Sequence, residues 1–239
     1  MICVPSASYS ELMCGRFVQA SDTDELDLTF DADIVSEELP EPSYNISPTQ
    51  TIAVVIDSAR DTEQPVRRIE PARWSLIPPW VTDGKPKFST FNARSEDAAS
   101  KASWKNAVAR TRCLIPATGY FEWVTEGSTK TPFFIHGDAP LALAGLYSWW
   151  RATPDDEWML TATILTMATV PNLAHIHDRT PVVVPKSFWS DWLDPKVTGD
   201  QDLVDAAVVH ARDEASRLSF YEVAPVRGNG PDLIRPLNA

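Results

Sequence analysis

The chain has 239 residues, 44% of them hydrophobic, and a formal net charge of -12 at pH 7. That length can bury one substantial core, no apolar run approaches transmembrane length, and the acidic balance excludes nonspecific duplex binding through the surface as a whole, since neutralising phosphates requires Lys and Arg. Cys3, Cys14 and Cys113 have no metal-ligand spacing and follow no secretion signal, so a disulfide framework is not expected and a cytosolic setting is.

Residues 1–12 carry no basic segment and no apolar stretch of signal-peptide length, and Glu11 adds an acid, all of which argues against secretion. Residues 1–13 are read as a leader, either a start codon placed upstream of the true Met13 or a propeptide cut before Cys14, and residues 14–239 as one domain. Exposed as a first residue, Cys14 would hold an α-amine and a thiol on adjacent carbons. Such a pair condenses with an aldehyde: the amine forms a Schiff base, and the thiolate closes the imine carbon into a thiazolidine. The competing reading is a buried structural cysteine followed by a turn glycine.

Between Phe17 and Arg60 there is no Lys or Arg, whereas Asp22, Asp24, Glu25, Asp27, Asp31, Asp33, Glu37, Glu38 and Glu41 form an acidic block, read as a solvated face. Arg16, Arg73, Lys85, Lys87, Arg94, Lys101, Lys105, Arg110 and Arg112 lie in or near the segments with chemical promise, so a basic groove on an acidic body is expected. Strands are predicted over 51–56, 112–115, 120–124, 132–135, 141–147, 160–166 and 181–184. Helices are predicted over 96–109, capped by Ser95, and over 186–193 and 202–212. No repeat or linker divides the chain. The expected fold class is α+β, a single domain with a mainly antiparallel, curled sheet, partly open and barrel-like, with flanking helices.

Several segments combine chemically useful groups. Phe91-Asn92-Ala93-Arg94-Ser95-Glu96 offers an amide and a guanidinium at a helix start, either a phosphate anchor or simply a turn with its caps. Residues 112–123 read as strand, turn, strand, with Glu122 pointing away from its neighbours Phe121 and Trp123. It is either an exposed strand residue or a site acid whose proton affinity is raised by desolvation. His175-Ile176-His177-Asp178-Arg179 lacks further ligands at zinc spacing, so acid–base work by one histidine is the preferred reading and no metal is expected. The tryptophans and prolines of 74–80 and 44–50 suit either a core or a surface on which single-stranded nucleic acid stacks.

Taken in order, Cys14-Gly15-Arg16-Phe17, Tyr44 to Gln50, Arg73 to Trp80, Asn92 to Glu96, Arg112 to Trp123, Ala144-Gly145-Leu146, Thr163 to Thr166, His177 to Pro181 and Val223 to Val226 resemble the SOS response-associated peptidase (SRAP) family of abasic-site processing proteins. The resemblance implies the SRAP fold and a cysteine that cross-links to the ring-opened aldehyde of an abasic site in single-stranded DNA, with autoproteolytic or aminopeptidase exposure of that cysteine. Carried over, Cys14 is the nucleophile, Asn92 positions its amine, Glu122 is the acid/base and His177 helps open the sugar. Arg16 and Arg94 would hold phosphates, and Pro48 and Trp74 would shape the strand beside the lesion. No cofactor or membrane is implied, and a monomer located in the cytoplasm, at the nucleoid when bound to damaged DNA, is expected. The chain departs from the family pattern in its leader, in Thr180 where methionine is usual, and at the small residues Ser47 and Ser75. Two other readings use the same residues: a cysteine peptidase built from Cys14, His177 and Asn92, and a noncovalent single-strand reader.

Overall fold

A computed structural model describes residues 15–59 and 63–237. Its strands in chain order are β1 (Phe17–Gln19), β2 (Ile34–Val35), β3 (Ser43–Ile46), β4 (Thr51–Ser58), β5 (Val66–Trp74), β6 (Asn92–Arg94), β7 (Arg112–Glu126), β8 (Thr129–Trp150), β9 (Met159–Ala168), β10 (Arg179–Pro181) and β11 (Ser219–Glu222). They join in one sheet, antiparallel except where β2 meets β5 and where β5 and β6 meet β9. Pairing runs β8–β9–β5–β4–β7, and β7 pairs back onto β8, so the sheet curls into a ring. The expected α+β fold with a curled, mainly antiparallel sheet is therefore the observed one.

The main core includes Phe17, Ile52, Ile69, Trp74, Leu114, Tyr120 and Ile164, all fully buried. Burying an aliphatic or aromatic side chain of this size stabilises a fold by about 1.5–3 kcal/mol relative to exposure, so this interior dominates the stability. Helices α1 (Thr23–Phe30), α2 (Lys105–Arg110), α3 (Trp189–Leu193) and α4 (Gln201–Ser216) flank the sheet. A second small cluster of Val18, Phe121, Phe134, Val223 and Leu233 forms where the β7–β8 hairpin is joined by β1 and by the C-terminal segment.

Four expectations change in detail. Residues 112–123 form no strand–turn–strand: β7 runs unbroken for 15 residues, with a register irregularity between Ala117 and Gly119. Next to Pro116, which has no N–H to offer β4, the Gln19 amide bridges β7 and β4. Its Nε2 donates to Pro116 O at 2.8 Å and to Ala53 O at 3.1 Å, and its Oε1 accepts from Ala53 N–H at 2.7 Å. Similarly, the predicted strands 132–135 and 141–147 are parts of β8, with residues 137–140 as an excursion opposite the same irregularity. Gly119 is required there, because a Cβ would lie 2.5 Å from Ile135 O and from the Phe134 ring.

The helix expected over 96–109 shrinks to a 3-10 turn, Ser95–Asp97, and the short α2. Ser100 Oγ donates to Asp97 O at 3.0 Å, the local serine-to-backbone bond that competes with helix propagation. Ser95 is buried inside the turn, and Arg94 takes the cap position without a side-chain capping bond. Finally, the acidic block contains α1: Asp22 caps it by accepting from Glu25 N–H at 2.9 Å, and Leu26 and Phe30 face inward while the acids remain solvated.

Candidate active site

Cys14 lies outside the described residues, but the strand that follows it does not. On β1, Phe17 pairs with Tyr120 and Val18 with Gly119, and Phe121 N–H donates to Arg16 O at 2.9 Å. Continuing this antiparallel register by one residue carries Gly15 alongside Glu122. Glu122 itself is only 3% exposed, which rules out the exposed-strand reading. By strand alternation it shares a face with the fully buried Tyr120 rather than with Phe121 and Trp123.

Asn92 opens β6, held parallel to β9 by pairing with Ile164. An edge-to-face chain links this point to β1: Phe17 packs on Trp74 with ring centroids 5.0 Å apart, and Trp74 on Phe91 at 5.6 Å. The Trp74 indole N–H also donates to Phe91 O at 2.9 Å. Trp74 is fully buried, so it shapes the site from behind and cannot itself touch a DNA strand; Trp80, 53% exposed, is the tryptophan of this segment that faces solvent. Pro48 sits in the turn between β3 and β4, and this turn is pinned to Trp74 by Trp74 N–H donating to Gln50 O at 2.8 Å.

Asn92 and Arg94 line one cleft of about 450 Å³ together with the exposed Phe88, Lys101 and the edge of Trp104. The basic groove is narrower than its sequence list. Arg112 is buried and donates to Trp192 O at 2.7 Å, Val108 O at 2.8 Å, Asp194 O at 2.6 Å and Val197 O at 3.0 Å, so it staples α3 to β7 and holds no phosphate. Arg73 likewise spends Nη1 on Ser75 O at 2.8 Å. Arg94, in the cleft lining, is exposed, as are Lys85 and Lys87 earlier in the chain.

His177 is half-buried at the end of the segment leading into β10. Its Nδ1 accepts from Arg179 N–H at 3.1 Å and lies 3.0 Å from the exposed Asp178 carboxylate. Burial pulls the imidazole below its ordinary pKa, against the opposing pull of Asp178, so the neutral ring with its proton on Nε2 is favoured near pH 7. Arg179 is a site residue that sequence reasoning passed over. Its guanidinium pairs with both Glu96 oxygens, Nη2 to Oε2 at 2.8 Å, and donates to Thr166 O at 2.7 Å. Burial alone would raise the Glu96 carboxyl; the Arg179 guanidinium reverses this and leaves it below the usual carboxylate range. The Asn92–Glu96 and His177–Pro181 motifs are thereby joined, though nothing in their spacing announces it.

Cys113 is fully buried, and burial pushes its thiol far up, so it is no nucleophile. Among the described residues no three His, Cys, Asp or Glu side chains gather as a metal-holding group, and no helix is long and apolar enough to cross a membrane.

The family model described as SOS response associated peptidase (SRAP) matches residues 13–229. The abasic site processing protein YoqW of Bacillus subtilis is 36% identical over 235 residues, covering 93% of this chain and 99% of its own. The abasic site processing protein HMCES of Mus musculus is 28% identical, covering 82% of this chain and 65% of that protein. A crystal structure of a protein from Bacteroides thetaiotaomicron superposes with a TM-score of 0.76 at 19% identity over 93% of this chain and 99% of its own. One from Bordetella bronchiseptica gives 0.69 at 26%, covering 89% and 100%.

Proposed function

The chain belongs to the SOS response-associated peptidase family, and from that membership we propose that it processes abasic sites in single-stranded DNA by a covalent cross-link through Cys14. Removal of residues 1–13 frees the α-amine. The amine adds to the aldehyde of the ring-opened abasic sugar; the carbinolamine takes a proton on its hydroxyl and loses water, giving the imine. The Cys14 thiolate then adds to the imine carbon, the nitrogen takes up a proton, and the thiazolidine closes. Glu122 is the group that shuttles these protons and Asn92 orients the amine. The Nε2–H of neutral His177 donates a hydrogen bond to the furanose ring oxygen, which takes up a proton from solvent as the hemiacetal hydroxyl loses one and the ring opens.

The observation that carries this reading is the β1–β7 register, which runs the chain from Phe17 back along Tyr120 and Phe121 toward the buried Glu122. A buried carboxyl is costly unless it has work or partners, and one beside a reactive terminus is suited to proton transfer. Arg94 and Lys101 around the cleft supply cations, and exposed Phe88 and Trp80 supply aromatic faces, the combination that single strands use. The wider surface, at net charge -12, disfavours DNA elsewhere.

The direct test is the protein beginning at Cys14 incubated with a single-stranded oligonucleotide bearing one abasic site, then resolved under denaturing conditions. A heat-stable shifted band is expected, absent in Cys14→Ala. Persistence of the band in Cys14→Ala would transfer the chemistry to another residue.

A further inference from the structure

We infer that the hydrogen bond between Tyr120 and Thr180 is a positioning contact that holds the Glu122 strand and the His177 segment in one constellation, an inference that rests on the proposed roles of Glu122 and His177. The two hydroxyl oxygens are 2.8 Å apart, and the side chains are 0% and 2% exposed. The strands that carry them are not ladder partners. Tyr120 pairs with Phe17 on β1 and Ile135 on β8, whereas Thr180 pairs with Met167 on β9. The bond therefore spans two parts of the ring that no backbone ladder ties directly.

Each end of this bond moves with a group proposed to act in the reaction. Tyr120 and Glu122 are two apart on β7 and project to one face, so a shift of β7 displaces the hydroxyl and the carboxyl together. On the other side, residues 177–180 behave as one block. Arg179 N–H caps His177 Nδ1 at 3.1 Å, Thr169 N–H donates to Asp178 O at 3.0 Å, and the Arg179 guanidinium is fixed on Thr166 O at 2.7 Å and on Glu96. Residues 182–184 are bridged to β8, which pairs in turn with β7, so backbone sets the spacing between block and strand at one remove. A directional hydroxyl–hydroxyl contact fixes it directly, where apolar packing would tolerate sliding. Displacement by about 1 Å is enough to cost up to about a hundredfold in a positioned reaction.

The test uses the protein beginning at Cys14 and four variants: Thr180→Val, which keeps shape and removes the hydroxyl, Thr180→Ser, which restores it, Tyr120→Phe, and Tyr120→Phe combined with Thr180→Val. Three quantities are read: the first-order rate of adduct formation at saturating abasic single strand, the affinity for a tetrahydrofuran abasic analogue that cannot open to an aldehyde, and the NMR titration midpoint of His177. Thr180→Val and Tyr120→Phe should each slow the reaction about tenfold. The double variant should be no slower than the worse single, Thr180→Ser should stay within about threefold of the parent, and analogue affinity should hold within about twofold. The His177 midpoint should move in Thr180→Val and return in Thr180→Ser.

Parent-like rates and an unmoved His177 midpoint in Thr180→Val overturn the inference, as does a Thr180→Ser variant as slow as Thr180→Val. A parent protein that forms no adduct sinks the proposed function instead; a His177 midpoint that still shifts in Thr180→Val would then leave the structural tie standing.

Discussion

The Arg16 guanidinium is aimed by Asn45: Arg16 Nη1 donates to Asn45 Oδ1 at 2.8 Å, while Asn45 Nδ2 donates to Gly228 O at 2.6 Å. The amide has one workable orientation, because a flip would set its NH₂ against a cation and its oxygen against a carbonyl. Asn229 reinforces the arrangement by accepting from Tyr44 N–H at 2.7 Å. The C-terminal segment thus supports, through Asn45, the arginine nearest to Cys14.

Removing that support should separate aim from charge. Asn45→Ala leaves Arg16 in place but unheld and should weaken single-strand binding by about three- to tenfold, the net value of one ordinary hydrogen bond. Arg16→Ala should weaken it further and reduce the slope of log affinity against log salt by about one, which Asn45→Ala should not. Fluorescence anisotropy titrations at several salt concentrations read both quantities; an unchanged slope in Arg16→Ala would remove its phosphate contact.

Glu122→Gln keeps the size of the side chain and removes its proton transfer. Adduct formation should slow by about a hundredfold, since one positioned acid–base group is typically worth about that much or more, with affinity for an unreactive abasic analogue unchanged. A rate within about twofold of the parent would end its assigned role.

Glu122, Asn92 and His177 stand out in the sequence as candidates because each belongs to a short run of chemically useful residue types, while the roles given to them come from the resemblance to the family. The contacts that organise them do not stand out. Arg179 meets Glu96 across 83 positions of sequence, and Tyr120 meets Thr180 across 60, and neither spacing has a local periodicity to betray it. The same contrast holds for the fold. Strand β4 announces itself as Thr51-Ile52-Ala53-Val54-Val55-Ile56, whereas β5, Val66–Trp74, hides behind three arginines, a glutamate and a proline, because its outward positions are polar and only Ile69, Ala72 and Trp74 are buried. For Trp74 the sequence leaves core and stacking surface both open, because it reports the chemistry of the side chain and not its burial. Arg112 counts toward the expected basic groove for the same reason; four carbonyls on α2, α3 and the following loop claim it only once the chain has folded.

The pH dependence of cross-linking follows from His177. Its imidazole is held below the ordinary histidine value by burial, so it stays neutral, with Nδ1 accepting from Arg179 N–H and Nε2–H left to donate, to lower pH than a free histidine would. The acid limb of the rate profile should therefore fall below about pH 6.5 rather than at it. The folded state also disfavours the protonated ring relative to the unfolded chain, so this group's contribution to stability is intact above about pH 6.5 and diminishes as pH falls through the depressed folded value. Rates measured from pH 5 to 8 for the parent and for His177→Asn check the assignment: the acid limb should disappear or move in the variant.

Ser75 holds φ at 130°, a left-handed conformation that a side chain resists, while its N–H donates to Ala162 O at 2.9 Å and its carbonyl accepts from Arg73. Such strain costs about 1–3 kcal/mol, and glycine, which gives back up to about 1 kcal/mol in unfolded-chain entropy, should still gain on balance. Ser75→Gly is expected to stabilise by about 1 kcal/mol, raising Tm by about 2–4 °C for a chain of this size. Thermal unfolding decides it, and a lower Tm would mean that the hydroxyl outweighs the strain.

The leader distinguishes the cross-linker from a thiol peptidase. Thiazolidine closure consumes the α-amine of Cys14, and an amide nitrogen at that position is too weakly nucleophilic to form the imine. A peptidase built from Cys14, His177 and Asn92 requires only the thiolate, which an upstream chain does not remove. The protein with residues 1–13 retained by a Met13→Pro block on processing, its intact mass verified, should form no adduct with abasic single strand, whereas the protein beginning at Cys14 should react to completion. Restoring reactivity by cleavage at an engineered protease site before Cys14 would show that the loss came from the blocked amine and not from misfolding. Equal adduct yields with and without the leader would point to a mechanism that needs no terminal amine.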